Sequence, residues 1–258
     1  MNYRLTILTP TLVGDGERLS PIDYMVWKDQ VNVLDQRRIF KLLSKGPRLD
    51  GYLQQLSRAD KLDFASWGGF AQNYADRRIQ FESFALTPVW NRTRADQCFI
   101  PTFCTGVQGH YLPASALKGA LRTAVLHGSW KAKQNIHERA AAQIKDGRVP
   151  RRLAVSLEEN TLGTAGADRL RGIMVADSKA VAAAQFKVYL VRTATVVPKG
   201  NAVYELGWKL SGRGAVEPRR IDESVPAFAE MAAPGTVFEG AWREPDFYQQ
   251  EAVRQDLH

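Results

Sequence analysis

Cysteine is scarce in this chain: Cys98 and Cys104 are the only two among 258 residues. Two cysteines build no disulfide framework, and with no second pair elsewhere they do not match a zinc site. Histidine is scarce too. His110, His127, His137 and His258 contain no i, i+4 pair of the kind that a helical metal site uses. The absence of a Gly-x-Ser-x-Gly elbow removes the support for a serine hydrolase. No apolar run approaches the roughly 20 residues that span a bilayer. No cationic stretch leads into an apolar one at the start, as it does in a signal peptide. The expectation is a soluble cytoplasmic protein with no resident metal, no cofactor and no membrane partner.

Acid is also short relative to base. Thirty-five Lys and Arg face 27 Asp and Glu, a formal net charge of +8. Such an excess suits a polyanionic partner, most often nucleic acid. The cations are not gathered in one tail. They recur as Arg37-Arg38, Arg77-Arg78, Arg151-Arg152 and Arg219-Arg220, a spread that fits a folded groove better than a disordered basic arm.

What is present reads as mixed helix and strand. Tyr3 to Leu12 alternates as a strand and runs into a glycine turn at Gly14-Asp15-Gly16. Tyr24–Val26 and Val31–Leu34 form a hairpin, and Asp35 caps a helix over Gln36–Leu43 that Gly46-Pro47 ends. Helix is expected again over Arg48–Leu56 and part of Ala59–Trp67. Ile79–Leu86 alternates as a strand, and Val89–His110 reads as a long loop or hairpin. Helices follow over Ser115–His127 and Trp130–Lys145, then a polar irregular stretch over Arg151–Gly166. Gly172–Ala176, Phe186–Val197, Tyr204–Leu210 and Thr236–Trp242 read as strands. Without regular βα alternation the fold class is α+β.

The stretch "YLPASALKGALRTAVL", Tyr111 to Leu126, joins an apolar stripe (Ala116, Leu117, Ala120, Leu121, Ala124, Val125) to two cations on another face. Lys118 and Arg122 are four apart, so one helical turn separates them. Ser115 is placed to cap the first turn. Gly119 costs the helix roughly 1 kcal/mol against alanine, a cost that close approach of a strand to the backbone would justify; plain small-residue packing is the alternative. Gly14 and Gly16 form a short Gly-x-Gly that either cradles phosphate or makes a simple turn. Asp23, alone in Ser-Pro-Ile-Asp, either caps a loop or holds a hydrated Mg²⁺. Trp90, Phe99 and Phe103 lie near basic residues and either stack bases or pack in a core.

Four stretches, "LTPTLVGDGERLSPIDYMV", "YLPASALKGALRTAVL", "RLRGIMVADS" and "APGTVFEG", together resemble the RAMP-superfamily subunits of type III CRISPR effectors. The resemblance is nearest to the fifth subunit of the type III-A (Csm) complex. It implies a ferredoxin-like, RRM-related core with helical and loop insertions, over 1–242, with the insertion and loop region at approximately 36–110. It implies a structural subunit, not an enzyme, that caps the backbone filament and binds the 3′ end of the guide RNA. Its partners are then guide RNA, target RNA, the repeated RAMP backbone subunits and the small helical subunits. The RNA-binding residues carried over are Gly14, Gly16, Ser115, Lys118, Gly119 and Arg122. Asp23 matches the aspartate with which the repeated subunits cleave target RNA, and is expected here to be structural, with metal-dependent cleavage as the alternative. A repeat-processing endoribonuclease is the rival, with His127 and His137 as its acid–base candidates. Any wedge between bases is expected within Val89–His110. Two departures stand out. Ala114 replaces a glycine of the commoner Pro-Gly-Ser-Ser form, and residues 243–258 read as a tail or truncated second domain without the usual glycine-rich end.

Overall fold

The structure, a computed structural model, describes residues 1–46, 48–58, 61–62, 73–132, 136–143, 150–164, 166–168, 170–200, 203–209 and 221–244. Within these the chain is mixed helix and strand in small sheets, most pairings antiparallel. It is α+β, as expected. Pro47, most of Ala59–Trp67, the far end of Trp130–Lys145, Leu210, Arg219-Arg220 and most of the tail after 243 lie outside the described residues. No described helix is long and apolar enough to cross a membrane.

The chain divides into two compact units. The first comprises Met1–Leu5, Tyr111–Ala180 and Val237–His258, and the second comprises Thr6–His110 and Val181–Thr236.

The second unit is organised around a hairpin. Strands β3 (Tyr24–Trp27) and β4 (Gln30–Leu34) pair in antiparallel register, Tyr24 opposite Val33 and Trp27 opposite Gln30. Lys28 and Asp29 make the two-residue turn, both with positive φ (49° and 58°), which is the geometry that matches strand twist. Strand β5 (Ala75–Gln80) adds to β4. Because side chains alternate, the sheet serves a core on each face. Tyr24, Val31 and Ile79 join Trp90, Cys98, Ile100 and Phe228 on one face. Met25 and Leu34 meet Ile39, Leu43, Tyr52 and Leu62 on the other. Helix α1 (Gln36–Leu43) starts where expected, with the Asp35 side chain accepting from the Arg38 amide. Helix α2 (Leu49–Ser57) follows.

Several expectations give way here. The strand read over Ile79–Leu86 is shifted back to β5, and Leu86 opens helix α3 (Leu86–Arg92). The Val89–His110 stretch holds the end of that helix, then β6 (Ile100–Phe103) and a small hairpin, β7 (Thr105–Gly106) with β8 (Gly109–His110). Phe186–Val197 is two strands, β10 (Phe186–Val191) and β11 (Ala194–Gly200), the second pairing with β12 (Val203–Trp208). A strand not foreseen, β13 (Ala227–Ala232), pairs with β10. Gly14-Asp15-Gly16 is not a free turn. It begins strand β2 (Gly14–Leu19), which pairs with β6 through a bulge between Gly14 and Arg18.

In the first unit, β1 (Asn2–Thr6) and β9 (Met174–Val175) flank β14 (Val237–Arg243). Helix α4 runs over Ala114–Ala132 and so absorbs the start of what reads as a separate second helix. Helix α5 is Ile136–Gln143. The polar stretch after Arg151 is helix α6 (Leu153–Leu162). It escapes the sequence reading because its inward positions include Ser156 and Thr161, and Thr161 accepts from the Trp130 indole at 2.9 Å. Periodicity counts apolar residues and misses a helix held by such a contact.

Candidate nucleic-acid interface

Two of the sequence motifs meet in the first unit. The Leu112 amide donates to Ser178 Oγ at 2.9 Å, and the Ser178 amide donates back to the Leu112 carbonyl at 3.0 Å. Two residues on, the Asp177 carboxylate accepts from the Ala114 amide at 2.7 Å and so serves the start of α4, where a negative group is favoured. The "RLRGIMVADS" segment is thus the support on which the "YLPASALKGALRTAVL" helix begins.

The two cations of that helix are engaged. Lys118 Nζ donates to the carbonyls of Ile173 (3.0 Å) and Arg171 (3.4 Å). Arg122 pairs with Asp168, and with Glu158 at 3.3 Å. Burial alone would raise the Asp168 carboxyl. The Arg122 hydrogen bond, the Leu170 amide and the charges of Arg122 and Lys118 outweigh it and hold the carboxyl below its ordinary range. A phosphate that reaches Arg122 therefore competes with two carboxylates.

Most of the apolar stripe faces water. Ala120, Leu121, Ala124 and Val125 are exposed, Leu121 at 43% and Val125 at 41%, and Leu126 is the buried one. Ser115 and Gly119 share the exposed side, and a Cβ built on Gly119 meets nothing within 4 Å. Packing among the described residues does not require a glycine there.

Gly14 and Gly16 belong to the second unit, and both are exposed. Gly16 has φ +94°, a conformation open to glycine and strained for other residues. Asp15 Oδ1 accepts from the Glu17 amide at 3.0 Å, which occupies one amide of the bend. Asp23 closes its own turn. Its carboxylate accepts from the Ser20 amide at 2.7 Å, and its amide donates to the Ser20 carbonyl at 2.8 Å. Among the described residues no three His, Cys, Asp or Glu side chains converge as metal ligands would. Asp23→Ala should leave any RNA product ladder unchanged while lowering stability by about 1 kcal/mol, as loss of a side-chain cap does. Cleavage mapping beside a urea melt measures both, and a lost product would favour the catalytic alternative.

The aromatics divide. Trp90 and Phe103 are core residues. Phe99 is half-buried beneath the Arg18 guanidinium, 4.4 Å from the ring centre. Cys98 and Cys104 are buried and unpaired. Burial, ahead of neighbouring charges, pushes the Cys98 thiol up to about 11. Of the histidines, His127 is exposed on α4, and His110 lies buried beside Arg77 and Glu230. Sequence reasoning also missed a cleft of about 560 Å³ in the second unit, lined by Arg92, Arg94 and Arg192 with Asp222 and Glu223. Its charges come from segments far apart in the chain, so no local motif marks it.

No family model matches the chain, and no curated protein matches it. Among solved structures it is similar to the crystal structure of Csm5 from T. onnurineus, with 20% identity and a TM-score of 0.66. That alignment covers 98% of this chain and 70% of the other. It is also similar to a chain in a cryo-EM structure of a Csm–crRNA–target RNA ternary complex of a type III-A CRISPR-Cas system. There the identity is 22% and the TM-score 0.61, over 98% of this chain and 65% of the other. The chain thus spans roughly two thirds of each matched chain while aligning along nearly all of its own length, and its fold is Csm5-like.

Proposed function

We propose that the chain is a structural RNA-binding subunit of a type III-A CRISPR effector. On this reading it caps the filament of repeated backbone subunits and binds the 3′ end of the guide RNA. The observation that carries the reading is the fold likeness along 98% of the chain, which extends to a chain in a complex assembled on crRNA and target RNA. The excess of eight positive charges points the same way. A ferredoxin-like core belongs to this reading. It finds support in sheet β3-β4-β5, which meets β10 at the parallel Phe81–Val188 bridge. The partners are guide RNA, target RNA and the other subunits of the effector, and the role is support rather than catalysis.

The guide surface is proposed at Ser115, Lys118, Gly119 and Arg122 on α4, with the bend at Gly14 and Gly16. Gly119 is the informative position, since no neighbouring segment among the described residues packs against it. Gly119→Ala should stabilise an exposed helix position by up to about 1 kcal/mol. If a ribose–phosphate backbone lies against it, the same methyl should weaken guide binding. Lys118→Ala should in addition flatten the slope of log affinity against log salt by about 0.7. Anisotropy titrations with a guide-length RNA, beside thermal melts, read both quantities. A Gly119→Ala protein that melts higher and binds as tightly as wild type would remove α4 from the interface.

A further inference from the structure

Helix α1 in the second unit carries a second surface that the α4 motif does not account for. Five cations and no carboxylate occur between residues 36 and 49: Arg37, Arg38, Lys41, Lys45 and Arg48. Ile39 and Leu43 face the core. Arg37 and Lys41, with Lys45 just past the Ser44 cap, follow each other at four-residue spacing on the opposite side, and all three are exposed. Phe40, 52% exposed, follows Arg37 by three residues and borders this stripe.

The fold does not explain this arrangement. Like charges four apart on a helix repel and cost it a few tenths of a kcal/mol per pair. The position of Lys41 in the last turn offsets only part of this through the helix dipole. The nearby acids are turned to other work or lie on another element. Asp35 caps the helix and lies 4.0 Å from Arg38, and Asp50 sits in the first turn of α2. Arg38 in turn lies over the Tyr74 ring, 5.7 Å from its centre. An exposed aromatic ring bordering a row of evenly spaced cations is the pattern of a single-strand stacking platform: charge tracks the phosphates, and the ring receives a base without regard to sequence. The rise between successive cations within the helix is about 6 Å, suited to neighbouring phosphates of one strand.

We propose that the solvent face of α1, built from Arg37, Phe40, Lys41 and Lys45, is a second contact surface for single-stranded RNA, distinct from α4. This rests on the reading of the chain as an RNA-binding protein, and the test separates the two. The full chain is titrated with fluorescein-labelled 15-nucleotide oligouridine at several salt concentrations. The Arg37→Ala/Lys41→Ala/Lys45→Ala variant is expected to lose up to about 2 from the log–log salt slope, at about 0.7 per phosphate contact. Phe40→Ala is expected to lower affinity about fivefold or more at unchanged slope, the effect of one lost base stack. All four side chains are exposed, and a circular dichroism melt matching wild type excludes misfolding as the cause. If both variants bind like wild type while Gly119→Ala binds weakly, the α1 proposal is overturned, the stripe serving an acidic protein face or none, and the α4 reading stands. If the α1 variants weaken binding and Gly119→Ala does not, the reverse holds. A wild-type chain that binds no RNA overturns both.

Discussion

Arg77→Met is expected to destabilise the chain by about 3 kcal/mol, the scale on which breaking a buried ion pair leaves its partner uncompensated. Glu230 on β13 is 1% exposed. Its Oε2 accepts from Arg77 Nη2 at 3.1 Å and from the Phe103 amide at 3.3 Å, and its Oε1 lies 3.1 Å from His110 Nε2. Arg77 Nη1 is also 3.1 Å from that nitrogen. One ring nitrogen of His110 is therefore shared between these two neighbours. The ring is held by stacking on Phe186, with centroids 4.1 Å apart and planes at 18°. Removing Arg77 leaves the buried Glu230 with the Phe103 amide and His110 Nε2 but without the guanidinium that pairs with it. Combining Arg77→Met with Glu230→Gln should recover much of the loss, because an amide has no charge left to compensate. Urea unfolding of the two single variants and the double variant gives the coupling. If Arg77→Met alone costs under half a kcal/mol, the cluster does not hold β5 to β13.

Gly163→Ala is the other substitution with a large expected effect, about 3 kcal/mol: strained backbone alone costs 1–3, and steric overlap adds to it. Gly163 ends α6 at φ 97°, ψ 164°, in the region open essentially to glycine. A Cβ there would lie 2.5 Å from the Ala167 carbonyl oxygen, a backbone atom that cannot swing aside as a side chain would. The turn has to open, and Asp168 rides on it. The variant should therefore also loosen the Asp168–Arg122 pair and, with it, the anchoring of α4. A depressed carboxyl contributes stability that is present above its unfolded pKa, about 3.9, and is lost as pH falls through the lower folded value. The wild-type chain should show that acid-side loss for Asp168, and Gly163→Ala should show less of it. Urea melts of both proteins from pH 6 downward make the comparison. Equal stability at neutral pH would mean that the turn accommodates a side chain.

How much of this was legible in the sequence depends on how far each contact reaches along the chain. The Tyr24–Leu34 hairpin, the Asp35 cap and the helix it opens all rest on neighbours within a few residues and appear where expected, although the turn is Lys28-Asp29 alone and Gln30, expected in the turn, already pairs with Trp27. Helix α4 begins one residue early, at Ala114, so Ser115 lies inside it rather than capping it, and its start is served by Asp177, 63 residues away. Strand β13 was invisible because "AFAEMA" has no β-branched residue, and its charge reads as a surface feature. Only burial beside Arg77, 153 residues away, makes Glu230 a core residue. The Ala120–Val125 stripe has the period of a buried face, yet period shows only that a face is apolar, not what covers it. The structure leaves it exposed.

The residues by themselves determined the α+β class, the β3–β4 hairpin with its capped helix, the basic excess and the motifs that point to RNA. Tertiary structure decided the rest. It closed the first unit from three separate segments of chain, turned Gly119 to open space, and set Arg122 against Asp168 and Glu158. The reason is physical. Backbone preference and helix capping act over one or two turns. Which charge is paired and which face meets water depends on segments that only folding brings together.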